Sequence, residues 1–188
     1  MEFIKKNEII EKFDNDWSYF SIKFLNINCN KEIAEFSDRK IIESLIRSKY
    51  HFWNGEVEPN GLTITGTKKV NNEIFENNVD GIKFCGQFDN AKIKTENYRR
   101  INFEEFKCAL RSTIVNNYST EFLIKLKPKL IFIINLNCNQ NDKFYLLDLN
   151  LERDIDKISK YHVFSFFVRF LSLTEENKLI KIIELGAD

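Results

Sequence analysis

LIFIINLNCNQNDKFYLLDLNL, residues 130–151, is the stretch whose reading decides the fold. Residues 130–138 are apolar on both faces, the pattern of a strand covered on two sides. Asn139-Gln140-Asn141-Asp142 reads as a loop, and KFYLLDLNL (143–151) as the antiparallel partner strand. Pro128 sits just upstream and predicts that no helix runs into the first strand.

Outward from this hairpin, the clearest helix start is at Asn102. Glu105 follows three positions later, so each side chain can satisfy a backbone N–H of the other, and Phe103, Phe106, Leu110 and Ile114 form one face. On the other side, 159–172 carries Tyr161, Val163, Phe164, Phe166, Phe167, Val168, Phe170 and Leu171, and is predicted as a helix apolar nearly all round. The chain closes on LIKIIEL (179–185), a predicted strand.

Nearer the N-terminus, Phe3, Ile10 and Phe13 recur among charged residues and predict an amphipathic helix over 2–14. WSYFSIKFLNIN (17–28) is aromatic and β-branched, a predicted strand. Ser37 is a good N-cap for a helix over 38–52, with Asp38 in its first turn and Ile41, Ile42, Leu45 and Ile46 on one face. Residues 62–70 alternate apolar and hydroxyl side chains as a strand does, 71–81 reads as a loop, and 82–94 as a strand with a bulge or bend at Gly86. Strands cluster instead of alternating with helices. The expected class is α+β: a mixed or antiparallel sheet of about five to six strands with about four helices packed on one side of it, in a single domain spanning 1–188.

Composition narrows function. The chain has 188 residues, of which 28 are basic and 28 acidic, so it lacks the positive excess of a dedicated nucleic-acid binder. Its 18 Phe, with abundant Asn, Ile and Lys, match AT-rich codon usage, as in an AT-rich bacterium or its phage. Cys29, Cys85, Cys108 and Cys138 have no paired C-x-x-C spacing and are expected to be reduced thiols of a cytoplasmic protein. No leader-like apolar stretch is visible, and no run reaches the length of a membrane span.

Four constellations could carry chemistry. Asp80, Asp89 and then Glu105-Phe106-Lys107 follow the order of a metal-dependent nuclease, in which acids hold a cation and a lysine serves the attacking water. Glu105, however, opens a helix and has a capping role. Asp148 interrupts an apolar strand, and Asn150, Glu152, Asp154 and Asp156 extend its polar character, without the glycine and ligand spacing of a calcium loop. His51 and His162 are the only histidines, so a thiol–imidazole pair would need one of them beside a cysteine such as Cys85. Lys92, Lys94, Tyr98, Arg99 and Arg100, with Arg111 further on, combine basic and aromatic residues as single-strand binders do. Phosphate-cradling glycine loops and nucleophile-elbow or H-E-x-x-H motifs are not seen.

The expectation from these readings is a non-catalytic protein-interaction module, such as an inhibitor, an immunity or antitoxin-type partner, or an anti-defence protein. Trp17, Tyr19, Trp53 or Tyr98 would serve as aromatic anchors. The alternatives are a metal-dependent nucleic-acid-cleaving enzyme using Asp80, Asp89 and Asp148, and a binder of a small or nucleotide-derived ligand in an aromatic pocket. The expected partner is a protein, with nucleic acid along 92–100 as the alternative and no membrane. No cofactor and no resident metal are expected.

Overall fold

A computed structural model describes residues 1–13, 18–28, 36–54, 66–70, 73–77, 83–118, 120–158, 166–174 and 178–187. Its centre is a six-stranded sheet. In chain order the strands are β1 (Glu2–Phe13), β2 (Ser18–Asn28), β8 (Tyr98–Ile101), β9 (Lys143–Leu147), β10 (Phe166–Leu173) and β11 (Leu179–Ala187). They lie in the order β1-β2-β11-β10-β9-β8, and every neighbouring pair is antiparallel.

The three α-helices among the described residues are α1 (Asp38–Ile46), α2 (Phe103–Asn117) and α3 (Thr120–Asn137). Short strands β3 (Trp53–Asn54), β6 (Lys83–Cys85) and β7 (Phe88–Asp89) form a small second sheet, and β4 (Gly66–Val70) pairs with β5 (Glu73–Asn77). The class is α+β.

The two core clusters lie on opposite faces of the large sheet, and strand parity assigns them. Ile180 and Ile182 of β11 pack with Ile41, Ile42 and Leu45 of α1, together with Cys85 and Phe88 of the small sheet. Ile183 and Leu185 of the same strand pack with Phe106 and Leu110 of α2 and Leu130 and Ile134 of α3. Residues one apart on a strand point to opposite faces, so β11 and β10 are buried on both and carry apolar core residues on each. Helices thus cover both faces, where the sequence reading placed them on one.

The same double burial explains the largest corrections. The part of 159–172 that is described is strand, not helix: Phe170 faces α2, while Leu171 and Leu173 face α1. The run at 130–138 is the reverse case. It closes α3, which carries Pro128 in its interior, and β9 pairs instead with β8 and β10. Pro128 and Ile124 are both exposed, so the carbonyl that loses its helical donor has access to water.

The 2–14 segment is the edge strand β1, not a helix. Its register slips between Lys5 and Asn7. Phe3 therefore packs on the α1 side while Ile9 and Phe13 pack on the α2–α3 side, although all three have the same parity. A one-residue bulge moves every later side chain to the other face, and it erased the alternation by which a strand is recognised.

Smaller differences follow. Residues 73–77, read within a loop, are strand β5. The predicted strand 62–70 is described from Gly66 only, as β4. The 82–94 strand is a β6–β7 hairpin, with Gly86 in its turn at φ +57°, followed by a short 3-10 turn. A methyl group on Gly86 would lie 2.1 Å from Cδ1 of Phe167. The predicted β2, α2 and β11 are present, and α1 starts where predicted but ends at Ile46 instead of 52; Ser37 and Asn102 cap their helices.

Candidate functional site

Three polar groups occupy the α1 face of the sheet where apolar ones would be expected. Arg169 of β10, Glu184 of β11 and Ser21 of β2 are register partners in one row, and all three are buried. Arg169 Nε donates to Glu184 Oε1 at 2.7 Å, and a second guanidinium nitrogen donates to the same oxygen. The third donates to the backbone carbonyl of His51. Ser21 Oγ lies 3.5 Å from the other Glu184 oxygen.

His51 continues this network. Its Nδ1 lies 2.6 Å from Asn90 Oδ1, and its Nε2 lies 2.7 Å from the Tyr98 hydroxyl. Asn90 Nδ2 donates to the Ile46 carbonyl at 3.2 Å, which fixes the amide with its oxygen toward the imidazole. His51 Nδ1 therefore donates and Nε2 accepts, the arrangement of a neutral ring. Burial, and then the neighbouring Arg169 charge, hold its pKa well below the ordinary value of 6.5. Burial likewise pushes the Cys85 thiol up to about 12 and raises Tyr98 far above an ordinary phenol. A thiol held protonated is not poised as a nucleophile. This network ties β2, β10 and β11 to the segments carrying His51, Asn90 and Tyr98. It is a buried polar core.

The residues singled out for chemistry have separate positions. Asp89 Oδ1 accepts from the Ala91 N–H at 3.0 Å and caps the 3-10 turn. Glu105 and Asn102 cap each other at 2.7 and 2.9 Å. Lys107 pairs with Glu104 and lies over the Phe103 ring. Asp148 is half-buried and holds Arg99 at 3.2 Å and Arg153 at 3.3 Å. Asp154 takes Lys157, the Asn150 N–H and Arg153, which bring its carboxyl down to about 2. Asp80, Trp17, Cys29 and His162 lie outside the described residues, as does the side chain of Trp53. Among the described residues no three His, Cys, Asp or Glu side chains cluster as metal ligands would.

The 92–100 segment is basic in sequence but largely matched in space. Arg99 faces Asp148, Lys92 Nζ donates to the Asp156 carbonyl at 2.6 Å, and Arg100 is near Asp38. Burial alone would raise Asp38, but hydrogen bonds from Tyr145 (2.6 Å) and Lys143 (2.9 Å) hold it below the usual carboxylate value. Lys94 is exposed with its backbone N–H bonded to Asn97, and Glu96 of the same segment pairs with Arg39. Tyr98 is buried beneath His51, and Tyr19 is half-buried, so neither is a surface anchor.

The surface the sequence reading missed is on α3. Ile124, Phe132 and Leu136 are 72%, 64% and 69% exposed. With Pro128 they form a row at i, i+4, i+8 and i+12, about 18 Å long at 1.5 Å per residue. Separately, α2 and α3 enclose a groove whose floor includes Leu110, Ile114, Leu130 and Ile134 and whose walls carry Val115 (50% exposed) and Ile131 (41%); Phe132 and Leu136 do not line it. Arg111 and Lys127 rim it, and neither has an ion-pair partner among the described residues. The signal was present in sequence, since 130–136 has more apolar residues than one buried face of a helix needs. It was spent on a strand covered on both sides.

No protein-family model matches this chain. No curated protein matches it at a significant level. No helix among the described residues is long and apolar enough to cross a membrane.

Proposed function

We propose that this chain is a protein-interaction module, of the kind that inhibits or neutralises another protein, and that the α2–α3 face is its contact surface. The carrying observation is the number of large apolar side chains left exposed on these two helices: Val115 on α2, and Ile124, Ile131, Phe132 and Leu136 on α3. Isolated exposed apolar residues are ordinary, but a continuous patch rimmed by polar groups marks an interaction site. A large aromatic among them, Phe132, is the type of side chain that anchors interfaces. The paired basic segment at 92–100 and the separated acids at 89, 105 and 148 supply no comparable surface.

The test is affinity capture from native host cells with the tagged full chain and with a Phe132→Asp/Leu136→Asp variant, read by mass spectrometry and by absorbance at 260 nm. Both residues are exposed, so the variant should keep the wild-type circular dichroism. A stoichiometric protein held by wild type and lost by the variant supports the proposal. A protein held equally by both, or nucleic acid alone, defeats it.

A further inference from the structure

We infer that the α2–α3 groove receives an acidic amphipathic helix of the partner. This rests on the interaction reading above and adds the chemistry of the occupant.

Shape is the first argument. Two packed helices present a concave line between their ridges, and a third helix fits such a groove by the same ridge-and-groove packing. The floor is apolar and both walls carry exposed branched residues, Val115 on α2 and Ile131 on α3. The groove-lining residues of α3 run from Lys127 to Asn135, about 12 Å at 1.5 Å per residue, which matches roughly two turns of a docked helix. An extended peptide would need a free sheet edge, which this face lacks, since helices cover it.

Charge is the second. Among the described residues no carboxylate lines the groove, whereas Lys107, Arg111 and Lys127 do. Lys107 is already engaged by Glu104. The two remaining cations flank an apolar floor, the complement of a helix with an apolar stripe bordered by Asp or Glu. The same charges disfavour a second copy, because a two-fold contact sets each patch against itself and brings Arg111 and Lys127 toward their own equivalents. A lipid surface is flat and would leave the groove floor unfilled.

The experiment is selection of a random 16-residue peptide library on the immobilised full chain, with counter-selection on Ile131→Asp. The result expected is enrichment of helix-forming sequences with apolar residues at i, i+3, i+4 and i+7 and with net negative charge. The best of them should bind at least about ten-fold more weakly to Arg111→Glu/Lys127→Glu at low salt, and the difference should shrink at high salt. Enrichment of basic or extended sequences, or none dependent on Ile131, overturns the inference. So does a concentration-dependent dimer in sedimentation that Ile131→Asp abolishes, or flotation with anionic-lipid vesicles lost in that variant. If cellular capture depends on Phe132 while the selected peptides are not acidic helices, the interaction reading survives and this inference alone fails.

Discussion

Arg169 and Glu184 face each other across β10 and β11 and are both buried, joined by a 2.7 Å hydrogen bond on the face of the sheet that carries His51 and Cys85. Removing one member of such a pair leaves the other charged, desolvated and unmatched, which costs about 3–5 kcal/mol. Replacing both with apolar side chains of similar volume removes that penalty. Urea unfolding of Arg169→Met, Glu184→Leu and the double variant should therefore show each single variant strongly destabilised and the double variant well above the sum of the two losses. Strict additivity would mean that the ions do not act as a pair.

His51 should make stability acid-sensitive. Its folded pKa lies well below 6.5, so the unfolded chain binds the proton first. The contribution is complete above about 6.5 and is lost as pH falls below that value toward the folded pKa, by up to about 1.4 kcal/mol per pH unit. The groups facing the ring are Asn90, Tyr98 and the Arg169 guanidinium, none of them an acid that could stabilise the charged form. Unfolding free energies of wild type and His51→Gln, measured from about pH 7 to pH 5, should converge as pH falls. Parallel curves would assign the acid sensitivity to other groups.

How far this network was legible in sequence depends on the length scale of each signal. Capping is local, and Ser37 and Asn102 were readable because each cap needs only residues three apart. The α+β class and the C-terminal strand were readable from apolar content. The helix and strand assignments of 2–14, 130–138 and 166–172 were not. Periodicity separates helix from strand only where one face is polar, and β10 has no polar face because helices lie on both sides of the sheet. β1 has one, but its bulge at Lys5 to Asn7 shifts the pattern midway. With α3 read as a strand, Phe132 and Leu136 became core residues on paper, and the surface they form was hidden with them. Within the row of Arg169, Glu184 and Ser21, the neighbours Ser21 and Glu184 are 163 residues apart in sequence, a separation at which a lone sequence holds no trace of contact.

Gly86 is predicted to be intolerant of a side chain. It adopts φ +57°, and a Cβ there would meet the Phe167 ring at 2.1 Å. Gly86→Ala should cost more than the roughly 1 kcal/mol typical of a left-handed glycine, because the ring must also move. Adding Phe167→Leu should recover part of the loss. Thermal unfolding of the three variants checks this, and no recovery would place the cost in backbone strain alone.

The capping box should account for about 1 kcal/mol of α2 stability. Asn102 and Glu105 exchange hydrogen bonds of 2.9 and 2.7 Å at its start. Asn102→Ala should lose most of this, and Asn102→Asp little of it, since an aspartate accepts the same bond and suits the helix dipole. If the groove between α2 and α3 is the contact surface, fraying of this first turn should leave partner binding nearly unchanged, because Arg111, Ile114 and Val115 lie two or more turns further along. Equal losses of stability and binding in Asn102→Ala would instead couple the cap to the surface.

Cysteine reactivity should divide by position. Cys108 is exposed on α2, whereas Cys85 and Cys138 are buried with thiols pushed up to about 12. The attacking species is the thiolate, so burial slows both steps, access and ionisation. In a Cys29→Ser background, a disulfide reagent at neutral pH should titrate one thiol quickly, and Cys108→Ser should abolish that phase. The two remaining thiols should react only as fast as the fold opens, Cys85 with the polar core under α1 and Cys138 with the end of α3. Rapid reaction of Cys138 in the native protein would show that the α3 terminus detaches readily, and with it one end of the proposed contact surface.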